Sequence, residues 1–220
     1  MDSIDKLVQL FEKFPGIGPR QARRFVQYLL SAPSGARTEL AELIKRLGAE
    51  SRQCKRCLRW FTSNHQGSTL IPEPAKVELC CPICADEHRD AATIFVVEKD
   101  ADIENVERSG FRGLYFVLGG TIPLGSDTPE KHIRLRELLK RAEAYAASKG
   151  DVLRQLREII LGLSATTEGD HTRQIVHEEL RLIAEKLSIK ISSLGRGLST
   201  GSELEYADPN TISQALANRT

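Results

Sequence analysis

The sequence predicts a multi-module chain of mixed α+β and α/β class: a helical head, a cysteine-rich middle, a parallel α/β domain and a short C-terminal extension. Three observations predict it. Apolar residues recur at helical spacing through the first fifty positions, and all five cysteines fall between positions 51 and 90. Beyond Ala92, short β-branched runs alternate with helical stretches.

In the head, Ile4, Leu7, Val8, Leu10 and Phe11 share one helical face, and the run Phe14-Pro15-Gly16-Ile17-Gly18-Pro19 interrupts it. Periodicity resumes at Ala22, Phe25, Val26, Leu29 and Leu30, a turn is expected over 33–35, and Leu40, Leu43, Ile44 and Leu47 mark a third helix. Two helices joined by Pro15-Gly16-Ile17-Gly18 have the form of a helix-hairpin-helix. Gly16 and Gly18 let backbone approach a ligand closely, and the second helix offers free N–H groups at its positive end. Arg20, Arg23 and Arg24 follow directly, placed to pair with phosphates. Contacts of this kind grip the strand without reading bases, so sequence-independent DNA binding is expected. The plainer reading is an αα-corner that uses glycine to turn. The apolar faces of the head also exceed what three short helices bury alone, which points to a subunit contact.

The middle, 51–90, is expected to be irregular. Cys54-Lys55-Arg56-Cys57 and Cys81-Pro82-Ile83-Cys84 are two Cys-x-x-Cys knuckles, and together they supply the four thiolates of a structural zinc site. Twenty-three residues separate the knuckles, slightly more than is usual in zinc ribbons, and the polar, proline-bearing stretch 64–74 reads as the excess loop. Cys80 is spare, and His65 and His88 are weaker substitutes as ligands. A redox dithiol is the competing reading, but neither knuckle has a strand-to-helix setting. Four sulfurs leave no open position, so this zinc would be structural.

In the α/β part, strands are expected at 93–97, 114–118, 158–163 and 189–194, with helices at 101–109, 130–149 and 172–187. Glu98 follows the first strand, while Glu168 and Asp170 follow the third in a loop. Open parallel sheets gather their sites at strand C-termini, so these three carboxylates are placed to converge and to hold Mg²⁺. The same residues also fit solvated helix caps. The pattern resembles Toprim domains, in which a Glu after the first strand joins later acidic residues around magnesium. No tyrosine nucleophile with a supporting basic motif accompanies it.

Composition narrows the function. Charged residues are 28%, hydrophobic residues 40%, aromatics 5% and the net charge is +1, so any grip on nucleic acid is local. No apolar run reaches the roughly twenty residues of a membrane helix. Residues 1–10 lack the features of an export signal, so a cytoplasmic, thiol-reducing setting is expected.

In order along the chain come Phe14-Pro15-Gly16-Ile17-Gly18-Pro19-Arg20 into Arg24, the two knuckles, Val96-Val97-Glu98 with Ala101-Asp102-Ile103, and Thr167-Glu168-Gly169-Asp170. Leu194-Gly195-Arg196-Gly197-Leu198, Gly201 through Asp208, and Thr211-Ile212 complete the series. This order resembles the bacterial RecR family of recombination mediators along essentially the whole chain. The resemblance implies a helix-hairpin-helix over 1–50, a four-cysteine zinc finger over 51–90, a Toprim domain over 91–194 and a Walker B-like segment over 195–220. It implies a non-enzymatic protein that binds single- and double-stranded DNA, forms homodimers or ring-like homotetramers, and acts with RecO and RecF to load RecA. It places DNA contacts at Arg20 and Arg24, zinc at Cys54, Cys57, Cys81 and Cys84, and partner contacts at Glu98, Glu168 and Asp170. The chain departs from the family pattern in Ser164-Ala165 where Asn-Pro is common, in Ser199 where proline is common, and in the extra Cys80. The alternative function is a magnesium-dependent Toprim-type nuclease or primase-like phosphotransferase.

Overall fold

The computed structural model describes residues 2–62, 79–126, 128–147, 156–198, 201 and 203–218. Two compact units divide the chain, one built on Met1–Ser51 and the other on Arg52–Phe61 and Thr69–Thr220.

The first unit holds α1 (Ser3–Glu12), α2 (Pro19–Ser31) and α3 (Ser34–Glu50). Asp2 caps α1 by accepting from the Asp5 N–H at 2.8 Å. Val8, Ala22 and Val26 form the core, with Phe11 and Ile17 against it, and Phe11 meets Phe14 and Phe25 edge-on. The turn expected over 33–35 shrinks to Pro33, which serves as N-cap; α3 then begins at Ser34. The Arg37 guanidinium reaches back to the carbonyls of Leu29 and Ala32 at 3.0 and 2.7 Å, closing the C-terminus of α2. No residue of α3 is buried.

The second unit begins with β1 (Ser51–Gln53) and β2 (Trp60–Thr62), a two-stranded ribbon around the first knuckle, and α4 (Pro82–Ala85) carries the second knuckle. The middle is therefore less irregular than its composition suggests, because each knuckle is framed by regular backbone. The loop expected at 64–74 lies outside the described residues. The sheet follows: β3 (Asp90–Val97), β4 (Gly113–Val117), β5 (Glu158–Gly162) and β6 (Lys190–Ser193), with α5 (Asp100–Arg108), α6 (Leu135–Ala147) and α7 (Thr167–Leu187) between them.

The strand order is β4-β3-β5-β6 and every pairing is parallel. β3 sits inside the sheet, with Val96 opposite Phe116 on one side and Leu161 on the other. Ile94 and Val96 join the core beneath α6 and α7, while Phe95 and Val97 join the core beneath α5. Coverage of both faces explains a β3 that reads as a continuous apolar run. The strand order reverses between β3 and β5, which creates a switch point at their C-terminal ends.

Two helix expectations are corrected. The helix expected over 130–149 is a 3₁₀ turn, Pro129–Lys131, followed by α6 from Leu135. The break exists because the Arg134 N–H donates to the Leu118 carbonyl at 2.8 Å, tying the chain to the exit of β4. The helix expected from Thr172 starts at Thr167. Its first turn faces the polar crevice and carries no apolar periodicity to announce it, but Thr166 caps it by accepting from the Gly169 N–H at 3.0 Å. After β6, a 3₁₀ turn (Leu204–Tyr206) and α8 (Pro209–Ala217) complete the described chain. The segment expected to be Walker B-like shows no strand among its described residues. Such a motif needs an acidic residue at the end of an apolar strand, whereas Asp208 is here the N-cap of α8, accepting from the Thr211 N–H at 3.0 Å.

Candidate functional site

At the hairpin, Gly16 adopts φ +76°, a conformation that strains any L side chain, and Gly18 is the N-cap of α2 with Pro19 next. No atom lies within 4 Å of where a Cβ on either glycine would sit, so the backbone of the turn stands open. Arg20, Arg23 and Arg24 are all exposed. The first turn of α2 contains no acidic residue, and Gly18 provides no side-chain cap. Cations beside the positive end of a helix raise its energy until an anion arrives. The turn is thus electrostatically incomplete by itself.

Cys54, Cys57, Cys81 and Cys84 are buried, and their sulfurs all lie within 4.8 Å of one another. Cys57 Sγ and Cys81 Sγ are 3.5 Å apart, and the Cys81 N–H donates to Cys54 Sγ at 3.3 Å. A tetrahedron of zinc–sulfur bonds of about 2.3 Å needs sulfurs roughly 3.8 Å apart, so the set fits such an ion. Without metal, sulfur–sulfur hydrogen bonds divide the protons unevenly. Bonds from Cys57, Cys81 and Cys84 pull the Cys54 thiol strongly down, and pairing with Cys54 pushes Cys57 and Cys84 up. A divalent ion would be held by all four as thiolates. Cys80 is half-buried and stands outside the four, as does the exposed His88; His65 lies outside the described residues.

The knuckles cover the free edge of β4. The Val117 N–H donates to the Cys57 carbonyl at 2.8 Å, Leu58 of the first knuckle packs into the core under α6 and α7, and Ile83 of the second packs under α5. An exposed strand edge invites pairing with other chains, and here the cysteine module closes it.

At the switch point, Glu98 ends β3 with 9% of its surface exposed, and its Oε1 accepts the Ser164 N–H at 2.6 Å. Glu168 and Asp170 belong to the first turn of α7 and not to a loop. There they complement the helix dipole, as the cap reading expected. Thr121 Oγ1 donates to Glu168 Oε2 at 3.4 Å. Asp170 is held by Arg196 on both carboxylate oxygens, one at 3.0 Å, and by Arg173 at 2.7 Å. The Arg196 bond, reinforced by the charge of Arg173, holds the Asp170 carboxyl below its usual value. Gly169 is required here, since a Cβ would meet the Ser164 carbonyl oxygen at 2.2 Å. Ser164-Ala165 therefore still delivers a loop that binds Glu98 by its backbone. Among the described residues, the three carboxylates do not form a group with oxygens within 4.8 Å. Arg196 already holds Asp170 on both carboxylate oxygens, so magnesium there would have to compete with that guanidinium. Sequence reasoning missed Arg173, which lies one helical turn from Asp170 and was legible in that spacing, and Arg196, which meets Asp170 only in space.

These features define a class: a chain with a helical hairpin, a four-cysteine cluster able to hold a metal, and a parallel Toprim-type sheet. Comparison with known proteins agrees part by part. Residues 4–47 match the family model for the RecR helix-hairpin-helix, 92–193 that for the Toprim domain, and 197–220 that for the RecR C-terminal segment. A recombination protein RecR of Bifidobacterium longum subsp. infantis is 37% identical over 99% of this chain and 95% of its own length. Those of Ruegeria pomeroyi and Rickettsia typhi are each 35% identical over 98% of this chain, and over 95% and 94% of their own lengths. The chain belongs to the RecR family of recombination proteins.

Proposed function

We propose that this protein is a non-catalytic DNA-binding mediator of recombinational repair in the cytoplasm, stabilised by one zinc ion per chain. It acts with RecO and RecF to help load RecA onto single-stranded DNA. One observation carries the reading: three exposed arginines stand at the open, anion-seeking end of α2 behind the Gly16 turn. Such an end is stabilised by a phosphate. The ligands are backbone phosphates, so single and double strands of any sequence bind. Membership of the RecR family supports the partner assignments and assembly as a homodimer or ring-like homotetramer. The family resemblance puts partner contacts at Glu98, Glu168 and Asp170, and of these Glu168 is exposed. No helix among the described residues is long and apolar enough to cross a membrane.

The test is binding to labelled single-stranded and duplex DNA across a salt series. The affinity of the parent falls steeply with salt. Arg20→Ala with Arg24→Ala weakens binding about tenfold or more and flattens the log–log salt slope by roughly 1 to 2. Equal binding by the double variant would refute the hairpin as the DNA contact. Magnesium-dependent turnover of DNA or RNA, abolished by Glu98→Gln, would replace the mediator with an enzyme.

A further inference from the structure

Two arginines of the α6 region are unexplained by the fold alone. Arg141 is 9% exposed, and its Nη1 donates to the Tyr115 carbonyl at 2.8 Å and to the Arg56 carbonyl within the first knuckle. Its Nη2 is buried and has no hydrogen-bond partner among the described residues. Arg134, half-buried, donates from Nη1 to the Leu58 carbonyl at 3.0 Å and the Val117 carbonyl at 3.2 Å. Among the described residues no carboxylate pairs with either guanidinium. This contrasts with Arg89 on the other face of the sheet, which is bound to Glu107.

A buried guanidinium cannot shed its proton, so it needs negative charge nearby or it destabilises the fold. Carbonyl dipoles meet part of that need. The remaining candidate is the thiolate cluster whose knuckle these arginines hold. Four thiolates less one divalent ion leave about two negative charges, buried and also in need of balance. The two excesses are opposite in sign, so each can offset the other.

We propose that Arg134 and Arg141 are the counter-cations and positioning residues of the four-cysteine metal centre. They fix the carbonyls of Arg56 and Leu58 on either side of Cys57, and offset the charge of the metal–thiolate group. The same guanidiniums hold the β4 carbonyls of Tyr115 and Val117, so metal binding and edge closure of the sheet become one event. Groups that orient ligands in this way are worth roughly 10- to 100-fold in metal affinity when removed. This inference rests on the reading that the four cysteines hold zinc.

The experiment uses the full chain. Zinc per chain is measured first for the parent, with one expected; none would refute the metal reading itself, separately from the role of the arginines. Zinc affinity is then measured by chelator competition for Arg141→Met, Arg134→Met and Arg141→Lys, with circular dichroism confirming the fold. The methionine variants should bind zinc about 10- to 100-fold more weakly, and Arg141→Lys should recover most of the loss, because it keeps the charge. Cobalt loaded in place of zinc should show shifted thiolate charge-transfer bands in the methionine variants, a change that mere loss of packing does not produce. Folded methionine variants with parental zinc affinity would overturn the proposal, as would Arg141→Lys losing zinc as fully as Arg141→Met. If Arg141→Met does not fold, Arg134→Met and Arg141→Lys decide by the same criteria.

Discussion

At the residue scale, the structure separates charges that are consumed from charges that are offered. Arg89, with a side chain 6% exposed, is held by Glu107 through a two-pronged ion pair, one arm of 2.8 Å, and Tyr115 donates to the same carboxylate at 2.6 Å. The Arg89 bond, joined by that of Tyr115, holds the Glu107 carboxyl below its ordinary value of 4.5. A carboxyl lowered by folding contributes stability above its unfolded value and loses it as pH falls through its folded one. Glu107→Gln should therefore cost roughly 1–3 kcal/mol near pH 7. The gap between parent and variant should close as pH drops below about 4.5. Urea unfolding at several pH values measures it, and a gap independent of pH would show that the pair contributes no linked stability. Arg20, Arg23 and Arg24, by contrast, are exposed around a helix end with no acidic residue in its first turn, and they are the charges that the proposed function uses.

At the element scale, each site is set by the end of a helix or strand. The N-terminus of α2 is where the proposed DNA contact falls, and the N-terminus of α7 places Glu168 and Asp170 beside the end of β3. Arg196, past β6, then fastens the C-terminal segment to α7 through Asp170, and Asn218 donates to its carbonyl at 2.7 Å. The edge of β4 is closed by the first knuckle through Cys57. Metal loss should thus destabilise a sheet edge and not merely a finger. Cys57→Ser should lose zinc and a large share of the stability of the second unit, because ligand assembly is coupled to folding. Metal content and thermal unfolding report it, and an undiminished melting temperature with no metal would show the centre to be dispensable.

At the scale of the whole molecule, a net charge of +1 supplies no general attraction for DNA, so binding depends on where cations cluster. The exposed stripe of α3, Leu40, Leu43, Ile44 and Leu47 at 42% to 63%, is larger than solitary surface apolar residues explain. It fits the subunit contact expected for the head. Light scattering should find two- or four-fold the chain mass, and Leu43→Glu with Ile44→Glu should shift it toward monomer. A parent that is monomeric with and without DNA would remove the ring from the proposed function.

The sequence by itself determined the modules and their order. Cysteine spacing, the Pro-Gly-Ile-Gly turn and apolar runs are local signals that physics ties to one structure each. It also placed β3 and β4 within a few residues, because strands covered on both faces are continuously apolar. Only the tertiary structure decided which carboxylates are free. Glu98 meets a loop 66 positions later, and Asp170 meets Arg196 from beyond the last strand. Likewise the arginines behind Cys57 depend on neighbours distant along the chain. Pairs one turn apart on a helix leave a spacing signal, but pairs between elements act through space and leave none.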